Sequence, residues 1–250
     1  TENNTDPLQP FWNRATQGTY APGSTFKPVT AIAALETGII TPKSTILTKG
    51  VYHYGDWAYK CWLYNQNGGT HGRIDVTEAI KVSCNYFFYD IGRRTGISTI
   101  ARYASAFGLG EPTGIEIPEK IGVMTTPDYV NSLDGHYWTD GQTLTAAIGQ
   151  SYNLFTPLQL ANYIATLVGS GQHYEAHLLK NVKSYDNSSV IYAYDKAPLN
   201  TVEMSDSTLQ AVKEGMHNLT TGSLSYYFSN CVVSAGAKTG TAETGIANTN

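Results

Sequence analysis

The chain has 250 residues, 41% hydrophobic and 14% charged, the make-up of one large folded domain or two small ones and too little charge for disorder. A net charge of −4 with no Lys/Arg cluster argues against nucleic acid as a partner. No apolar run approaches the ~18–20 residues of a membrane span, and Cys61, Cys84 and Cys231 fit no zinc or redox spacing and read as small buried hydrophobes.

Residues 1–18 are polar and irregular. A helix is predicted from near Thr25 to Gly38, whose glycine suits a C-terminal cap. Residues 41–72, rich in Gly, Tyr, Trp and Asn, read as loop with short extended pieces. A second helical region follows Asp75, which with Glu78 resembles a capping box; it carries Val76, Ala79, Ile80, Phe87, Phe88 and Ile91 and closes at Gly96. Ser98 is placed to cap a third helix running through Phe107. Residues 108–145 read as a long connection with one or two short elements. Thr156-Pro157-Leu158-Gln159 is a full helix-start signal: capping threonine, proline first, glutamine third. A β-hairpin is predicted over 177–194, a helix around Leu209–Leu219, and a strand over 232–242. Helices and strands segregate, so the fold class is α+β.

The first helix start carries the chemistry. In "YAPGSTFKPVTAIAALETG", Ser24 and Lys27 stand three apart, neighbours on a helix. Pro28 lacks an N–H and is tolerated only in the first turn, which pins Ser24 to the helix N-terminus, where free N–H groups suit a developing oxyanion. Serine needs a base to act as a nucleophile, and Lys27 can serve only with a lowered pKa, through burial or a nearby cation. Two further strings supply partners. Ser83-Cys84-Asn85 is S-x-N, and Lys238-Thr239-Gly240 is K-T-G. Lys238 offers the cation, Thr239 and Thr241 hydroxyls for a substrate carboxylate, and Gly240 a close backbone approach to ligand. Asn85 suits a substrate amide and Ser83 a proton relay to Lys27. The Thr241 and Ser24 N–H groups are candidates for an oxyanion hole. Ser151-Tyr152-Asn153 and Arg94-Thr95-Gly96 imitate two of the motifs, so the order of all three carries the inference.

S-x-x-K, S-x-N and K-T-G in this order are the motif set of penicillin-binding proteins and class A β-lactamases. "NRATQGTYAPGSTFKPVTAIAALETG", "HGRIDVTEAIKVSCNYFFYDIG", "YASAFGLGEPTGIEIPE", "AAIGQSYNLFTPLQLANYIATL" and "GAKTGTAE" resemble the transpeptidase domain of class B, elongation-type penicillin-binding proteins, from Asn13 to Glu243. The resemblance implies the penicillin-binding/serine β-lactamase-like fold, a helical subdomain beside an antiparallel sheet. It implies a D,D-transpeptidase that cross-links peptidoglycan stem peptides ending in D-Ala-D-Ala, is acylated by β-lactams, and needs no cofactor or metal. It also implies a glycosyltransferase partner in the elongation machinery and a site on the extracytoplasmic face of the cytoplasmic membrane. Against that pattern, residues 1–250 are expected to form a transpeptidase domain lacking the first strands, the last strands and the C-terminal helix. The sheet would then be incomplete. "GQS" at 149–151 also departs from the family, which usually has glycine third. The alternatives are a β-lactam sensor or inactive scaffold, and a serine β-lactamase. Glu116 and Glu119 fall where a class A enzyme keeps its deacylating glutamate, but outside the required E-x-x-L-N context. His173 and His177, in H-Y-E-A-H, miss the zinc-helix pattern by one place.

Overall fold

In the computed structural model, residues 9–242 are described. The Asn13 side chain accepts the Ala15 N–H and opens α1 (Arg14–Gln17). A 3-10 turn, Gly23–Phe26, runs directly into α2 (Lys27–Glu36), with Pro28 in the first turn as expected. β1 (Ile46–Thr48), β2 (Val51–Tyr54), β3 (Trp57–Lys60), α3 (Trp62–Asn67) and β4 (Gly72–Ile74) follow. Antiparallel pairing joins β1 to β4 and β2 to β3.

The helical region after Asp75 is two helices, α4 (Val76–Lys81) and α5 (Asn85–Thr95). Ser83 breaks it with φ at 52°, a left-handed conformation that a right-handed helix cannot pass through. Asp75 caps α4 by accepting the Glu78 N–H at 2.8 Å, while the Glu78 carboxylate pairs with Lys81. In α6 (Ile97–Ala106) the Gly96 carbonyl accepts the Ile100 N–H, so Ser98 sits inside the first turn and is not the cap. Two short helices, α7 (Pro127–Ser132) and α8 (Gly141–Ala147), occupy the long connection. α9 (Pro157–Val168) has both halves of its capping box: Thr156 accepts the Gln159 N–H and Gln159 the Thr156 N–H. Then come β5 (Gln172–His173), β6 (Asn181–Lys183), β7 (Val190–Ala193), β8 (Asn200–Thr201), α10 (Asp206–Thr221) and α11 (Ser225–Phe228). β6 and β7 form the predicted hairpin, and β5 pairs with β8. Among the described residues, no helix is long and apolar enough to cross a membrane.

The predicted strand over 232–242 is not formed. A strand exists only through a ladder partner, and no described segment pairs with this one. Its backbone bonds to α10 instead: the Ala237 N–H donates to the Met216 carbonyl, and the Ala235 carbonyl accepts from Thr220 Oγ1 and His217 Nδ1. The sheet structure of the described residues is four two-stranded antiparallel pairs.

Two compact units divide the chain. One takes Ala21–Ala104, Met124–Asn153 and the chain from Glu203 onward. Its core holds the α2 residues Val29 and Ile32 and the α5 residues Phe87, Phe88 and Ile91, all fully buried. Each such side chain stabilises the fold by about 1.5–3 kcal/mol. The other unit takes the chain up to Tyr20 with Ser105–Val123 and Leu154–Val202. There Phe107 meets Tyr163 edge to face at 5.8 Å. His173 is buried between Asn162 and Asn200, with Nδ1 at 2.8 Å from Asn200 Oδ1, and His177 stacks on Tyr194, so neither histidine takes the role of a zinc-helix ligand. Glu119 accepts from the Thr113 and Gly114 N–H groups, and Glu116 from those of Leu178 and Leu179, so both carboxylates are engaged in holding loops.

Candidate active site

All eight site residues named from the sequence lie in the first of these units. Lys27, the first residue of α2, is fully buried. Its Nζ donates to the Ser83 carbonyl at 2.8 Å, Ser83 Oγ at 3.1 Å and Asn85 Oδ1 at 2.6 Å. The break between α4 and α5 makes this possible, because the left-handed turn at Ser83 aims its hydroxyl and its carbonyl at one ammonium. Lys238 reaches the same hydroxyl, with Nζ at 2.9 Å from Ser83 Oγ, and also donates to its neighbour's carbonyl, Thr239 O, at 3.0 Å.

Burial pushes the Lys27 pKa down to about 7, and the Lys238 charge lowers it further within that value, against an opposing pull from Cys84 and Cys61. Burial likewise pushes Lys238 down to about 8. Both lysines are therefore near the point of losing a proton at neutral pH. A neutral Lys27 has a lone pair, and the Ser83 hydroxyl, accepting from Lys238, can donate into it. The three groups form a proton path.

Ser24 lies in the 3-10 turn that ends at Lys27 and is half-buried. With Ser83, Asn85, Thr239, Thr241 and Gln150 it lines a cavity of about 510 Å³. Its hydroxyl forms no hydrogen bond among the described residues; in ligand-free sites such contacts tighten only when substrate arrives. Backbone packing beneath the serine is close. Gly23 has φ at 52°, and a Cβ there would stand 2.4 Å from the Thr241 carbonyl oxygen. Gly149, with φ at 78°, accepts the Gly23 N–H and would place a Cβ 2.1 Å from the Gly23 oxygen. Gly240 is closely packed as well. A Cβ there would stand 2.8 Å from Thr25 Cγ2 and 3.0 Å from the Pro22 oxygen, so its small size seats the K-T-G segment against the serine turn.

The imitating motifs have local explanations. Asn153 is buried, donates to the Ala146 carbonyl and accepts the Thr125 N–H. Gly96 ends α5 with φ at 80°. Ser151, standing where the family usually has glycine, takes a glycine-like φ of 62°.

One constellation was not legible from spacing. Cys61 Sγ lies 4.0 Å from Cys84 Sγ and 3.7 Å from His71 Nδ1, and the three donor atoms lie within 4.8 Å of one another. These separations are close to the edges of a tetrahedron built on ~2.3 Å Zn–S and ~2.0 Å Zn–N bonds, so these are the residues that can hold a soft divalent ion. The Cys84 thiol, His71 and the Tyr86 and Leu63 N–H groups draw the Cys61 thiol pKa well down, outweighing its burial. The reading of three buried cysteines holds for Cys61 and Cys84 but not for Cys231, which is exposed.

Fold and site together define a protein whose serine and buried lysine stand at the head of a core helix, facing an S-x-N turn and a K-T-G segment. The penicillin-binding protein transpeptidase domain family matches residues 1–250, and the chain belongs to it. It is 33% identical to the peptidoglycan D,D-transpeptidase MrdA of Salmonella typhimurium over 249 residues, covering 95% of this chain and 38% of that protein. The structure is similar to Pseudomonas aeruginosa PBP2, solved in complex with WCK 5153, with a TM-score of 0.85 and 28% identity over 96% of this chain and 54% of that one. It is also similar to a chain from a peptidoglycan synthase complex studied for its coordination of polymerization and crosslinking, with a TM-score of 0.82 and 32% identity over 96% of this chain and 39% of that one.

Proposed function

We propose that residues 1–250 act as a transpeptidase domain that cross-links peptidoglycan stem peptides through an acyl-enzyme on Ser24. The observation that carries the reading is the Lys27–Ser83–Lys238 path, whose Ser83 lines the same cavity as Ser24. Neutral Lys27 takes the Ser24 proton as Oγ attacks the carbonyl of the D-Ala-D-Ala amide. The C–N bond breaks, and the terminal D-alanine leaves as an amine carrying a proton delivered through Ser83. An amine of a neighbouring stem peptide then attacks the Ser24 ester. Its proton returns along the same path, and Ser24 regains its hydroxyl. Lys238, Thr239 and Thr241 hold the substrate carboxylate, Asn85 its amide, and the Ser24 and Thr241 N–H groups the oxyanion. A β-lactam presents a strained amide to the same serine.

Kinship with proteins named D,D-transpeptidases and with a synthase complex supports the wider reading. In it the domain works on the extracytoplasmic face of the membrane beside a glycosyltransferase. Intact-mass analysis after exposure to penicillin tests the core of the proposal. One adduct on the Ser24 peptide, long-lived and lost in Ser24→Ala, is expected. An adduct that survives Ser24→Ala refutes the nucleophile, rapid release of hydrolysed drug indicates a β-lactamase, and no adduct at all indicates a scaffold.

A further inference from the structure

The break between α4 and α5 leaves the Val82 and Ser83 carbonyls without their helical donors. In a continuous helix, Val82 O and Ser83 O would accept the N–H groups of Tyr86 and Phe87. Here those amides face sulfur instead, Tyr86 toward Cys61 and Phe87 toward Cys84. Each stranded carbonyl takes a side-chain donor. Ser83 O takes Lys27 Nζ, and Val82 O takes the indole N–H of Trp62 at 3.0 Å. The indole is donor only, so this is the one hydrogen bond it can make. Its ring is braced by His71, with centroids 5.4 Å apart. Between the two capped carbonyls sits the left-handed φ of Ser83, a conformation that a serine keeps only when its surroundings hold it.

We propose that Trp62 is a positioning residue of the acyl-transfer site: by holding the Val82 carbonyl it keeps the strained turn aimed so that Ser83 and Asn85 meet Lys27. This deepens the reaction proposed above and rests on it. Trp62 also lines the cavity, so its ring and its N–H must be separated experimentally. Trp62→Phe does this, keeping an aromatic wall and removing the donor.

The experiment is rapid-mixing acylation by a chromogenic β-lactam, resolved into a binding constant and a first-order acylation step, with amide exchange on the same proteins. Loss of one neutral hydrogen bond predicts an acylation step roughly three- to tenfold slower with binding unchanged. In a Ser83→Ala background, Trp62→Phe should slow the reaction no further, because the brace acts through Ser83. Amides at 83–85 should exchange faster in Trp62→Phe. Wild-type acylation rates, a change confined to binding, or penalties that multiply with Ser83→Ala would each overturn the proposal. If the wild-type chain takes no adduct on Ser24, the acyl-transfer reading has failed; unaltered exchange at 83–85 in Trp62→Phe then overturns the brace as well, and faster exchange upholds it.

Discussion

Lys27 is a fully buried amine with three oxygen acceptors around it, an arrangement suited to an ammonium, yet its surroundings hold its pKa near 7. Those two facts set the pH behaviour of the site. On the proposed reaction, attack by Ser24 needs Lys27 neutral, so acylation should rise as pH climbs through about 7. In the carboxylate-holding role proposed for it Lys238 must be charged, so the rate should fall again above about 8. The profile belongs to the pair, because the two amines share Ser83 Oγ. Rates of acylation by a carboxylate-bearing β-lactam on both sides of neutrality test this. Lys238→Arg stays charged at every accessible pH and should abolish the falling limb while leaving the rising one. Lys27→Arg cannot lose its proton and should be as slow as Lys27→Ala, ~10²–10⁴-fold below the parent. An active Lys27→Arg protein would remove Lys27 from the role of base.

At the scale of elements, the site depends on three backbone segments meeting at distances that only glycine permits. A Cβ at Gly23 would collide with the Thr241 carbonyl oxygen, and one at Gly149 with the Gly23 oxygen. Both residues also hold positive φ. Gly23→Ala should therefore push the K-T-G segment off the serine turn. A displacement of about 1 Å can cost ~10²-fold in rate, with only ~1–3 kcal/mol of stability lost to strain. Acylation rate and thermal midpoint measured together on Gly23→Ala check this; a normal rate would show that Thr241 need not approach so closely. The local signals of these elements were legible. Thr156 and Gln159 announce α9 because a capping box is closed within four residues, and Asp75 announces α4 because its side chain takes the Glu78 N–H three residues on, although Glu78 itself turns to Lys81. The break at Ser83 was not, because the apolar spacing of Ile80, Phe87 and Phe88 continues across it as though one helix ran through. Residues 232–242 have strand-like composition, but a ladder depends on a partner that no local string specifies. Cys61, His71 and Cys84 lie in three separate connections, before α3, before β4 and between α4 and α5, and meet only once these elements are folded. The glycine of K-T-G signals a close approach, and the crowding by Thr25 and Pro22 on its protein side is specified by no local string.

Across the whole molecule, the two buried lysines make stability depend on pH in an unusual direction. Lys27 falls from an ordinary 10.5 to about 7 on folding, and Lys238 from 10.5 to about 8. Between those values the unfolded chain binds protons that the folded chain refuses, so stability rises with pH from about 7 toward 10.5 and the full cost stands below 7. For Lys27 alone the cost is on the order of 5 kcal/mol. Urea midpoints should thus be higher near pH 9 than near pH 7, and Lys27→Met should flatten most of that rise; an equal rise in the variant would assign it to other groups. The division into two units has its own consequence. Every one of the eight residues named for the chemistry belongs to a single unit, and the other contributes none. Its hairpin, with Tyr185 and Ile191 fully or largely exposed, is free of that duty. On the proposed reaction, changes confined to that hairpin, residues 181–193, are therefore expected to leave acylation by β-lactams nearly unaltered, while changes in the three stretches that carry the serine, the S-x-N turn and the K-T-G segment are expected to shift it.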